Sequence, residues 1–528
     1  MKQFCFLIAF TIGITTHAQW KAYSPTPGMI KSSAFRLLVN GTEVPVEAFK
    51  DIHYARFVIE GKITVEVQVA ADVPNFTLSP RSYNIAVEQA GNKLRFSIDR
   101  PRKLILQVGP QQQKLFLFAD APEQDAPQLT GKNVINVMDF VTDASGRTLQ
   151  TQQLQKAIDR AAALKAILYV PNGTYRTGTL VLRRDVQLYL RDGALIQGSD
   201  DINDYNDNGD NKTGVITRGR GALIYFDRAD DAKIYGRGVL AISGTAIKNK
   251  TGIKIRVINV RSSNNVTIED IIIRDSGGFT VHLQNSNKLL MKGYKIINDI
   301  TLPNEDGTDP DGCNGVVIDD VFMYTSDDAI AVKADHQPCE NILVQNCVFW
   351  TVKSALKVGS DPAFGAKNIT FSNNDVVHAD RALAVYASAG KVDGVRFINN
   401  KSEFIGGNAK RQLIVFQVSN AKEDNTDTRR RGIGSIKNIE VINYTAYHQS
   451  ERPSLISGTV AKDGTLHKVS GVLFQNLVIE GKKCLSPQEA RIITTPKQLP
   501  ADPNIPDKDQ KATPLKKPLE ATENIRFL

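Results

Sequence analysis

A short apolar motif that returns along the chain constrains its fold more than any other feature. Each copy has Asn, Gly or Lys first, then an aliphatic residue, a variable residue and a second apolar residue. The copies occupy positions 265–268, 288–291, 315–318, 341–344, 368–371, 394–397, 438–441 and 471–474. The first six are separated by steps of 23, 27, 26, 27 and 26 residues. A period of this size is typical of solenoids, in which each repeat forms one coil.

Two further apolar clusters accompany each copy of the motif, as at 271–273 and 329–332. Three short strands per coil, separated by turns rich in Asn, Asp and Gly, are the pattern of a parallel β-helix. Repeats of amphipathic helices are the alternative, and the abundance of β-branched residues argues against them. We therefore predict an all-β chain whose main domain, residues 136–484, is a right-handed parallel β-helix.

The segment before the repeats has the pattern of a small β-sandwich. Residues 63–69 alternate strictly between aliphatic and polar side chains, as in a half-buried strand. Asn40-Gly41 separates two apolar runs, which indicates a hairpin. We predict a β-sandwich over residues 19–120 and a polar, proline-bearing linker over 121–135.

One helix is predicted between the linker and the first coil. Leu154, Ala157, Ile158 and Ala161 fall at i, i+3, i+4 and i+7 and form one apolar stripe. The first coil of a solenoid otherwise exposes a sheet edge and an apolar interior. The helix is therefore expected to cap the N-terminal end of the β-helix.

The two ends of the chain differ in composition from the rest. Lys2, the apolar run 4–15 and the small-x-small sequence 16–18 predict a cleaved signal peptide over residues 1–18. No later stretch approaches the ~18 consecutive apolar residues of a membrane-spanning helix. We therefore expect a secreted or periplasmic protein without a membrane span. Residues 485–528 are rich in Pro and Lys and are expected to form an irregular tail.

Charge and cysteine content exclude several classes of protein. Lys and Arg number 65 against 56 Asp and Glu, a net charge of +9 that is mild for 528 residues. No nucleic-acid partner is predicted from so small an excess. The four cysteines beyond the leader fit neither a disulfide scaffold nor a zinc site. We expect them to be buried thiols, with one disulfide among Cys313, Cys339 and Cys347 as the alternative.

The strongest candidate site is a set of aspartates spaced by about one coil. Asp327 and Asp328 directly precede an apolar strand and follow Asp306 by 21 and 22 residues. Equivalent positions on neighbouring coils lie roughly 5 Å apart. Clustered carboxylates repel one another, which raises the pKa of at least one and supplies a proton donor beside an ionised neighbour. Hydrolysis of a glycosidic bond needs such a pair, although single aspartates also cap turns and clusters also bind calcium.

These residues carry a resemblance to known hydrolases. Residues 304–313, NEDGTDPDGC, followed by 327–333, DDAIAVK, resemble the active-site signature of the polygalacturonases, glycoside hydrolase family 28. The sandwich ahead of the helix, and Asp327-Asp328 followed by Trp350 and Gly359, are similar to the dextranases and isopullulanase of family 49. Both groups share the β-helix fold and an inverting mechanism. The resemblance extends over most of residues 30–480.

The resemblance implies a role for each aspartate. Asp327 would be the general acid, and Asp306 and Asp328 would hold and deprotonate the attacking water. Inversion would place acid and base about 6.5–9.5 Å apart, which leaves room for that water. No metal and no other cofactor would be needed.

Further residues are expected to bind the substrate, and some depart from the polygalacturonase pattern. The candidates are Asn304, Asp309, Lys333, Lys357, Lys353, Arg381, Tyr386 and His282. Polygalacturonases carry Gly-His-Gly on the coil after the paired aspartates, where this chain has Lys353-Ser354-Ala355. They also carry an Arg-x-Lys that grips the galacturonate carboxylate, and no such pair stands in register near Arg381. Lys333 and Lys357 would keep the site cationic in altered form.

The leading hypothesis is a monomeric exported glycoside hydrolase that degrades a polysaccharide and is dextranase-like or polygalacturonase-like. One alternative is a β-helix polysaccharide lyase, with the aspartates as Ca²⁺ ligands and Lys333 or Lys357 as the base. The other is a non-catalytic solenoid that binds carbohydrate. Products distinguish the three classes, because a lyase gives unsaturated products and a binding solenoid gives none.

Overall fold

The computed structural model describes residues 19–109, 112–206, 219–360, 362–494 and 522–528. The predicted signal peptide lies outside this part of the chain. Two compact units are present, and the first contains residues up to Glu123 apart from two short segments, Ser24–Met29 and Ser79–Tyr83, which belong to the second. Within the described ranges, no helix combines the length and the apolar character needed to cross a bilayer.

The N-terminal unit contains the two sheets of the predicted sandwich. One sheet consists of the strands Gln19–Ala22, Val46–Phe49, Ile52–Glu60, Phe76–Ser79, Arg102–Val108 and Gln113–Asp120. The other consists of Phe35–Val39, Thr42–Val44, Ile63–Val69, Val87–Ala90 and Lys93–Ile98. The alternation over Ile63–Val69 is confirmed, since every aliphatic residue of this strand is buried and each polar one is partly exposed.

The second unit is a right-handed parallel β-helix built from three long sheets, which we name C, D and E. Sheet C contains Val134–Asn136, Ile167–Val170, Gln187–Leu190, Lys233–Gly236, Thr267–Glu269, Asn287–Lys292, Asn314–Asp319, Cys339–Gln345, Ala366–Ser372, Lys391–Ile398, Ser435–Ile442, Val469–Gln475 and Thr522–Phe527. Sheet D contains Ser145–Leu149, Gly173–Thr177, Ala194–Gly198, Val239–Ala241, Ile272–Arg274, Lys295–Ile297, Phe322–Thr325, Val348–Thr351, Asp375–Ala379, Lys401–Ile405, Thr445–Ala446, Leu477–Ile479 and Lys482–Cys484. Sheet E contains Leu180–Leu182, Gly219–Asp227, Lys254–Arg261, Val281–Gln284, Thr308–Asp311, Ile330–Val332, Ser354–Val358, Arg381–Ala387, Gln412–Val418, Ser454–Ser457 and Ile492–Ile493.

The sequence repeat forms sheet C, and its members pair in the predicted register. Ile342 pairs with Ile369, and Ile369 with Val395, so aliphatic side chains of successive coils stack in the interior. The first residue of the motif has a left-handed backbone, with φ of 57° at Asn341 and 74° at Gly394. Asn and Gly tolerate that conformation better than other residues, which explains why they begin most copies.

The interior of the β-helix is one continuous apolar cluster that runs from the first coil to the last. Cys313, Cys339 and Cys347 are fully buried in it as free thiols. The alternative of a disulfide among these three is therefore wrong, and buried thiols are what the structure contains.

Helix α1, Thr151–Leu164, caps the first coil as predicted. Its buried residues are the predicted stripe of Leu154, Ala157, Ile158 and Ala161. The side-chain amide of Gln155 covers the edge of sheet E, because its Oε1 accepts from Val181 N at 2.8 Å and its Nε2 donates to Val181 O at 2.9 Å. The side chain of Gln155 thus makes the hydrogen bonds that a neighbouring strand would make to Leu180–Leu182.

Most of the predicted irregular tail, residues 495–521, lies outside the described residues, and a strand is present in each of its two described parts. Ile492–Ile493 is the last strand of sheet E, and Thr522–Phe527 pairs in parallel with Val469–Gln475 at the end of sheet C. Leu528 N donates to the Phe474 carbonyl at 2.8 Å. The end of the chain therefore covers the last edge of sheet C.

The capping role of Gln155 gives a stability prediction. We expect Gln155→Ala to lower the free energy of unfolding by about 1–3 kcal/mol, because it leaves both polar groups of Val181 without their partners. Gln152→Ala removes the same amide from an exposed position of the same helix and is expected to change stability by less than about 0.5 kcal/mol. Urea denaturation of the two variants measures the difference, and equal losses would contradict the capping role.

Candidate active site

Two turns between sheets D and E, on successive coils, carry the predicted catalytic aspartates. Asp306 precedes the strand Thr308–Asp311, and Asp327 and Asp328 lie between Phe322–Thr325 and Ile330–Val332. The turns are joined by backbone hydrogen bonds, from Gly307 N to Asp328 O at 2.8 Å and from Thr308 N to Ala329 O at 2.9 Å. The offset of about one coil therefore places the aspartates side by side, as predicted.

Gly307 permits this close approach of the two turns. A Cβ atom at this position would lie 2.3 Å from Ala329 O and 2.5 Å from the Met323 sulfur. Both distances are shorter than any ordinary contact, so a larger residue would push the turns apart. The glycine after Asp306 is therefore required by packing.

The three aspartates form a compact carboxylate cluster. One side-chain oxygen from each of Asp306, Asp327 and Asp328 lies within 4.8 Å of the other two. Asp306 and Asp328 are buried, and Asp327 is partly exposed. The Asn304 amide lies 3.5 Å from Asp327 Oδ2. These oxygens are closer together than the separation of about 6.5–9.5 Å that we expected between an inverting acid and base.

Lys333 neutralises one side of the cluster. Its ammonium lies 3.0 Å from Asp309 Oδ1 and 3.3 Å from Asp306 Oδ2, and 4.5 Å from the centre of the Phe279 ring. Burial alone would lower the pKa of Lys333, but the charges of Asp309 and Asp306 raise it above its ordinary value. Lys333 therefore remains an ammonium ion, and Asp309 serves as its counter-ion.

Lys357 neutralises the other side. Its ammonium forms an ion pair with Asp328 Oδ2, and the Ser354 backbone N–H donates to Asp328 Oδ1 at 2.9 Å. Arg381 lies near the same carboxylate but contacts Asp380, with 3.4 Å between Arg381 Nε and Asp380 Oδ2. Each oxygen of Asp328 thus has a donor of its own.

The adjacent aspartates of the pair differ in electrostatic environment. Burial and the charge of Asp328 raise the pKa of Asp327. Burial would also raise the pKa of Asp328, but the charges of Lys357 and Arg381 lower it below its ordinary value. Burial and the charge of Asp309 raise the pKa of Asp306 well above its ordinary value, against the effect of Lys333. The cluster therefore combines a stable carboxylate with neighbours that favour the protonated form.

Of the other predicted substrate-binding residues, one is buried and two are partly exposed. His282 is buried and pairs in register with Asp309; burial lowers the pKa of His282 to about 4, and its Nε2 lies 3.5 Å from Asp311 Oδ2. Tyr386 and Lys353 are partly exposed beside the cluster. The Lys357 ammonium lies 5.8 Å from the centre of the Tyr386 ring.

Two groups near the cluster, Lys248 and Glu305, were not among the predicted site residues. Helix α2, Gly244–Thr251, lies in an earlier turn between sheets D and E, and its Lys248 donates to the Pro303 carbonyl. Burial lowers the pKa of Lys248, and the charges of Glu305 and Asp327 act in the opposite direction. Burial raises the pKa of Glu305 to about 9. Lys248 lies on an insertion that the repeat could not place, whereas Glu305 stands next to Asp306 in the motif but had no predicted role.

Lys333 gives a prediction on stability and its pH dependence. We expect Lys333→Met to lower the free energy of unfolding by about 3–5 kcal/mol at pH 7, because Asp306 and Asp309 are left buried without their cation. This loss of unfolding free energy should shrink as the pH falls from about 8 to about 5, since protonation of these carboxyls removes the unpaired charge. Denaturant unfolding across this range measures it.

Lys292→Met is the matched control. Lys292 forms an exposed ion pair with Glu269 at 3.2 Å, with 49% of the lysine side chain exposed, so its loss is expected to cost less than about 1 kcal/mol. A Lys333→Met variant that behaves like this control, or whose loss does not depend on pH, would contradict the assignment of Lys333 as the counter-ion.

Comparison with solved structures identifies the fold. The family 28 exopolygalacturonase of Yersinia enterocolitica has a TM-score of 0.55 and 16% identity, covering 82% of this chain and 91% of that one. Dex49A from Penicillium minioluteum has a TM-score of 0.58 and 12% identity, covering 88% of this chain and 92% of that one. The predicted likeness of the fold to both groups of β-helix hydrolases is confirmed.

Sequence comparison extends the likeness to a family. A probable polygalacturonase of Vitis vinifera is 24% identical over 284 residues, which cover 48% of this chain and 57% of the relative. The exo-poly-alpha-D-galacturonosidase of Dickeya chrysanthemi is 24% identical over 357 residues, which cover 56% of this chain and 58% of the relative. This chain thus spans less than two thirds of the length of these two relatives. The family model of the glycosyl hydrolases family 28 matches residues 190–493, which is more than half of the chain and includes the whole aspartate cluster, and the chain therefore belongs to this family.

Proposed function

We propose that the protein hydrolyses a polysaccharide by a single displacement that inverts the anomeric carbon. The observation that carries the proposal is the compact cluster of Asp306, Asp327 and Asp328, whose members differ in their charge environment. Asp327 is the general acid, and Asp306 and Asp328 hold the attacking water. This division matches the requirement of glycoside hydrolysis for a proton donor beside an ionised base.

The short separation of the carboxylates suits a water held by two of them. A water that donates hydrogen bonds of about 2.8 Å to two oxygens at a tetrahedral angle brings those oxygens to about 4.6 Å from each other. The oxygens of Asp306 and Asp328 lie within 4.8 Å. The pair can therefore orient one water for attack on a sugar whose glycosidic oxygen faces Asp327.

One water and the three aspartate carboxyls account for every bond and proton in the proposed reaction. The water oxygen bonds to the anomeric carbon while one of its protons passes to the ionised member of the pair Asp306 and Asp328. The bond from the anomeric carbon to the glycosidic oxygen breaks, and that oxygen takes the proton of Asp327. Exchange of protons with solvent then restores both carboxyl groups. Activity should fall on the acidic side as the base is protonated and on the alkaline side as Asp327 loses its proton.

One cation beside the cluster, Lys353, favours an acidic polysaccharide over a dextran-like one. Lys333 and Lys357 are held by aspartates and are not available to a substrate carboxylate. Lys353 is partly exposed, its ammonium lies 3.5 Å from Asn408 Oδ1, and it has no carboxylate within ion-pair distance among the described residues. We infer a polygalacturonate-like substrate, in keeping with the names of the related polygalacturonases.

A lyase reaction is less well supported by the same contacts. It would need a lysine base, whereas Lys333 is held as an ammonium ion between two carboxylates. It would also need the aspartates for Ca²⁺, whereas Lys357 already neutralises Asp328. No specific observation favours a solenoid that only binds carbohydrate.

Release of reducing ends from a panel of polysaccharides tests the proposal. The panel contains polygalacturonate, rhamnogalacturonan, dextran, pullulan and sulfated galactans. We expect Asp327→Asn, Asp306→Asn and Asp328→Asn each to lower kcat by at least about 100-fold, because each removes one participant in proton transfer or water activation. Asp319→Asn, on the same coil but at the end of the sheet C strand Asn314–Asp319, is the matched control and should retain activity.

Three outcomes would contradict the proposal. Activity that survives Asp327→Asn would exclude Asp327 as the acid. Unsaturated, ultraviolet-absorbing products, or activity abolished by a chelator, would favour the lyase. Retention on a polysaccharide of the panel without products, unaffected by the aspartate substitutions, would favour the binding solenoid.

We further infer an exported protein that acts as a monomer. The pattern of basic, apolar and small residues over 1–18 supports export, and the substrate proposed here is itself extracellular. N-terminal sequencing of the protein from the culture medium or periplasm, which should begin near Gln19, tests the leader. Sedimentation tests the oligomeric state.

A further inference from the structure

The ion pair between Lys357 and Asp328 is an enclosed contact between two charged side chains of the candidate site. The Lys357 side chain is 12% exposed and that of Asp328 is 5% exposed. Asp328 Oδ2 faces the ammonium and Oδ1 accepts from the Ser354 backbone N–H at 2.9 Å. Because each carboxylate oxygen is held by a separate group, the plane of the carboxylate is fixed as well as its charge.

Asp327, the adjacent residue, has no comparable cation. Asp327 Oδ1 accepts from the backbone N–H of Asp328 at 2.9 Å, and Oδ2 lies 3.5 Å from the Asn304 amide. Both donors are neutral groups. The two neighbouring carboxyls thus differ mainly in that an ammonium ion contacts Asp328 and none contacts Asp327 among the described residues.

The remaining charged groups around Asp328 do not replace Lys357. The groups whose charges act on Asp328, or on which it acts, are Asp306, Asp309, Asp327, Lys333, Lys357 and Arg381. Lys333 contacts Asp306 and Asp309, and Arg381 lies 3.4 Å from Asp380. Among the described residues, only Lys357 forms an ion pair with Asp328. Its removal would leave a buried carboxylate beside other carboxylates.

The position of Lys357 on sheet E makes this contact possible. Lys357 pairs in register with Ala331 on the preceding coil and with Ala384 on the following coil. Both neighbours are small, so the lysine side chain can extend across the preceding coil toward Asp328, which lies 29 residues earlier in the chain. The contact is thus a product of the coil register.

We propose that Lys357 is a positioning residue that reserves Asp328 as the base of the reaction and leaves the transferable proton on Asp327. This proposal rests on the hydrolytic function proposed above. It replaces our expectation that Lys357 binds the substrate. Within the pair that holds water, it assigns proton abstraction to Asp328, while Asp306, which shares Lys333 with Asp309, orients the water.

The pH profile of kcat/KM for Lys357→Met, Lys357→Arg and the wild type tests the proposal. Loss of the ammonium should move the acidic limb upward by at least about one pH unit, which is a tenfold loss of kcat/KM on that limb. KM should change little, and Lys357→Arg should return the limb toward the wild-type position. Lys367→Met, an exposed lysine on the next strand of sheet C, is the control and should leave the profile unchanged. A raised KM with an unmoved limb would overturn the proposal and return Lys357 to substrate binding.

A measurement without substrate separates this proposal from the proposed function. Carbon-13 NMR of the aspartate carboxyls of the full chain, with the Asp328 signal assigned by its loss in Asp328→Asn, gives the titration of that group directly. The Asp328 signal should titrate at a higher pH in Lys357→Met than in the wild type, and Lys357→Gln serves if the Met variant fails to fold. An unchanged titration would overturn the role of Lys357 whatever the substrate. A shifted titration together with full activity of Asp328→Asn would leave the ion pair in place and refute the proposed function instead.

Discussion

The hydrogen-bonded stacking of one coil on the next is the constraint on which the rest of this structure depends. Parallel strands of neighbouring coils lie about 5 Å apart, so a separation of one coil along the chain becomes a side-by-side contact in space. Asp306 and Lys333, 27 residues apart, meet in this way, as do Asp328 and Lys357, 29 residues apart. The candidate active site is therefore built from several coils at once and would not survive a slip in register.

Electrostatics imposes a second condition on the same site. Buried carboxylates in close contact repel one another, and each also loses the solvation that water would give it. Two lysines offset that repulsion. Lys333, directly after the strand Ile330–Val332, contacts Asp306 and Asp309, and Lys357 contacts Asp328. No cation contacts Asp327 among the described residues, and it faces neutral donors. The unequal distribution of cations thus turns a set of similar aspartates into groups with different proton affinities.

The parts of the molecule that obey the repeat were predictable from the sequence. The pairing of Ile342 with Ile369, the stripe of helix α1 and the meeting of Asp306 with Asp327 all follow from a spacing that can be counted along the chain. Resemblance to known hydrolases added the roles of the aspartates, which spacing alone leaves open between catalysis and calcium binding.

The parts that the sequence did not place lie where a contact depends on side-chain reach or on an insertion. Lys333 and Lys357 were expected to bind the substrate, because they flank the aspartate motif and keep the site cationic. Their spacing does not show which carboxylate of the preceding coil each one meets. Lys248 reaches the site from helix α2, an insertion with no counterpart in the repeat. The strand Thr522–Phe527 pairs with sheet C across a large separation in sequence, which no periodic pattern signals.

The central claim is that the clustered aspartates activate a water for direct attack on the anomeric carbon. Proton NMR of the first product formed from a substrate oligosaccharide, recorded before the reducing ends mutarotate, tests this claim most directly. The account predicts a product whose anomeric configuration is opposite to that of the bond cleaved. A product of the same configuration would mean that one of the aspartates attacks the sugar itself, and it would contradict the account.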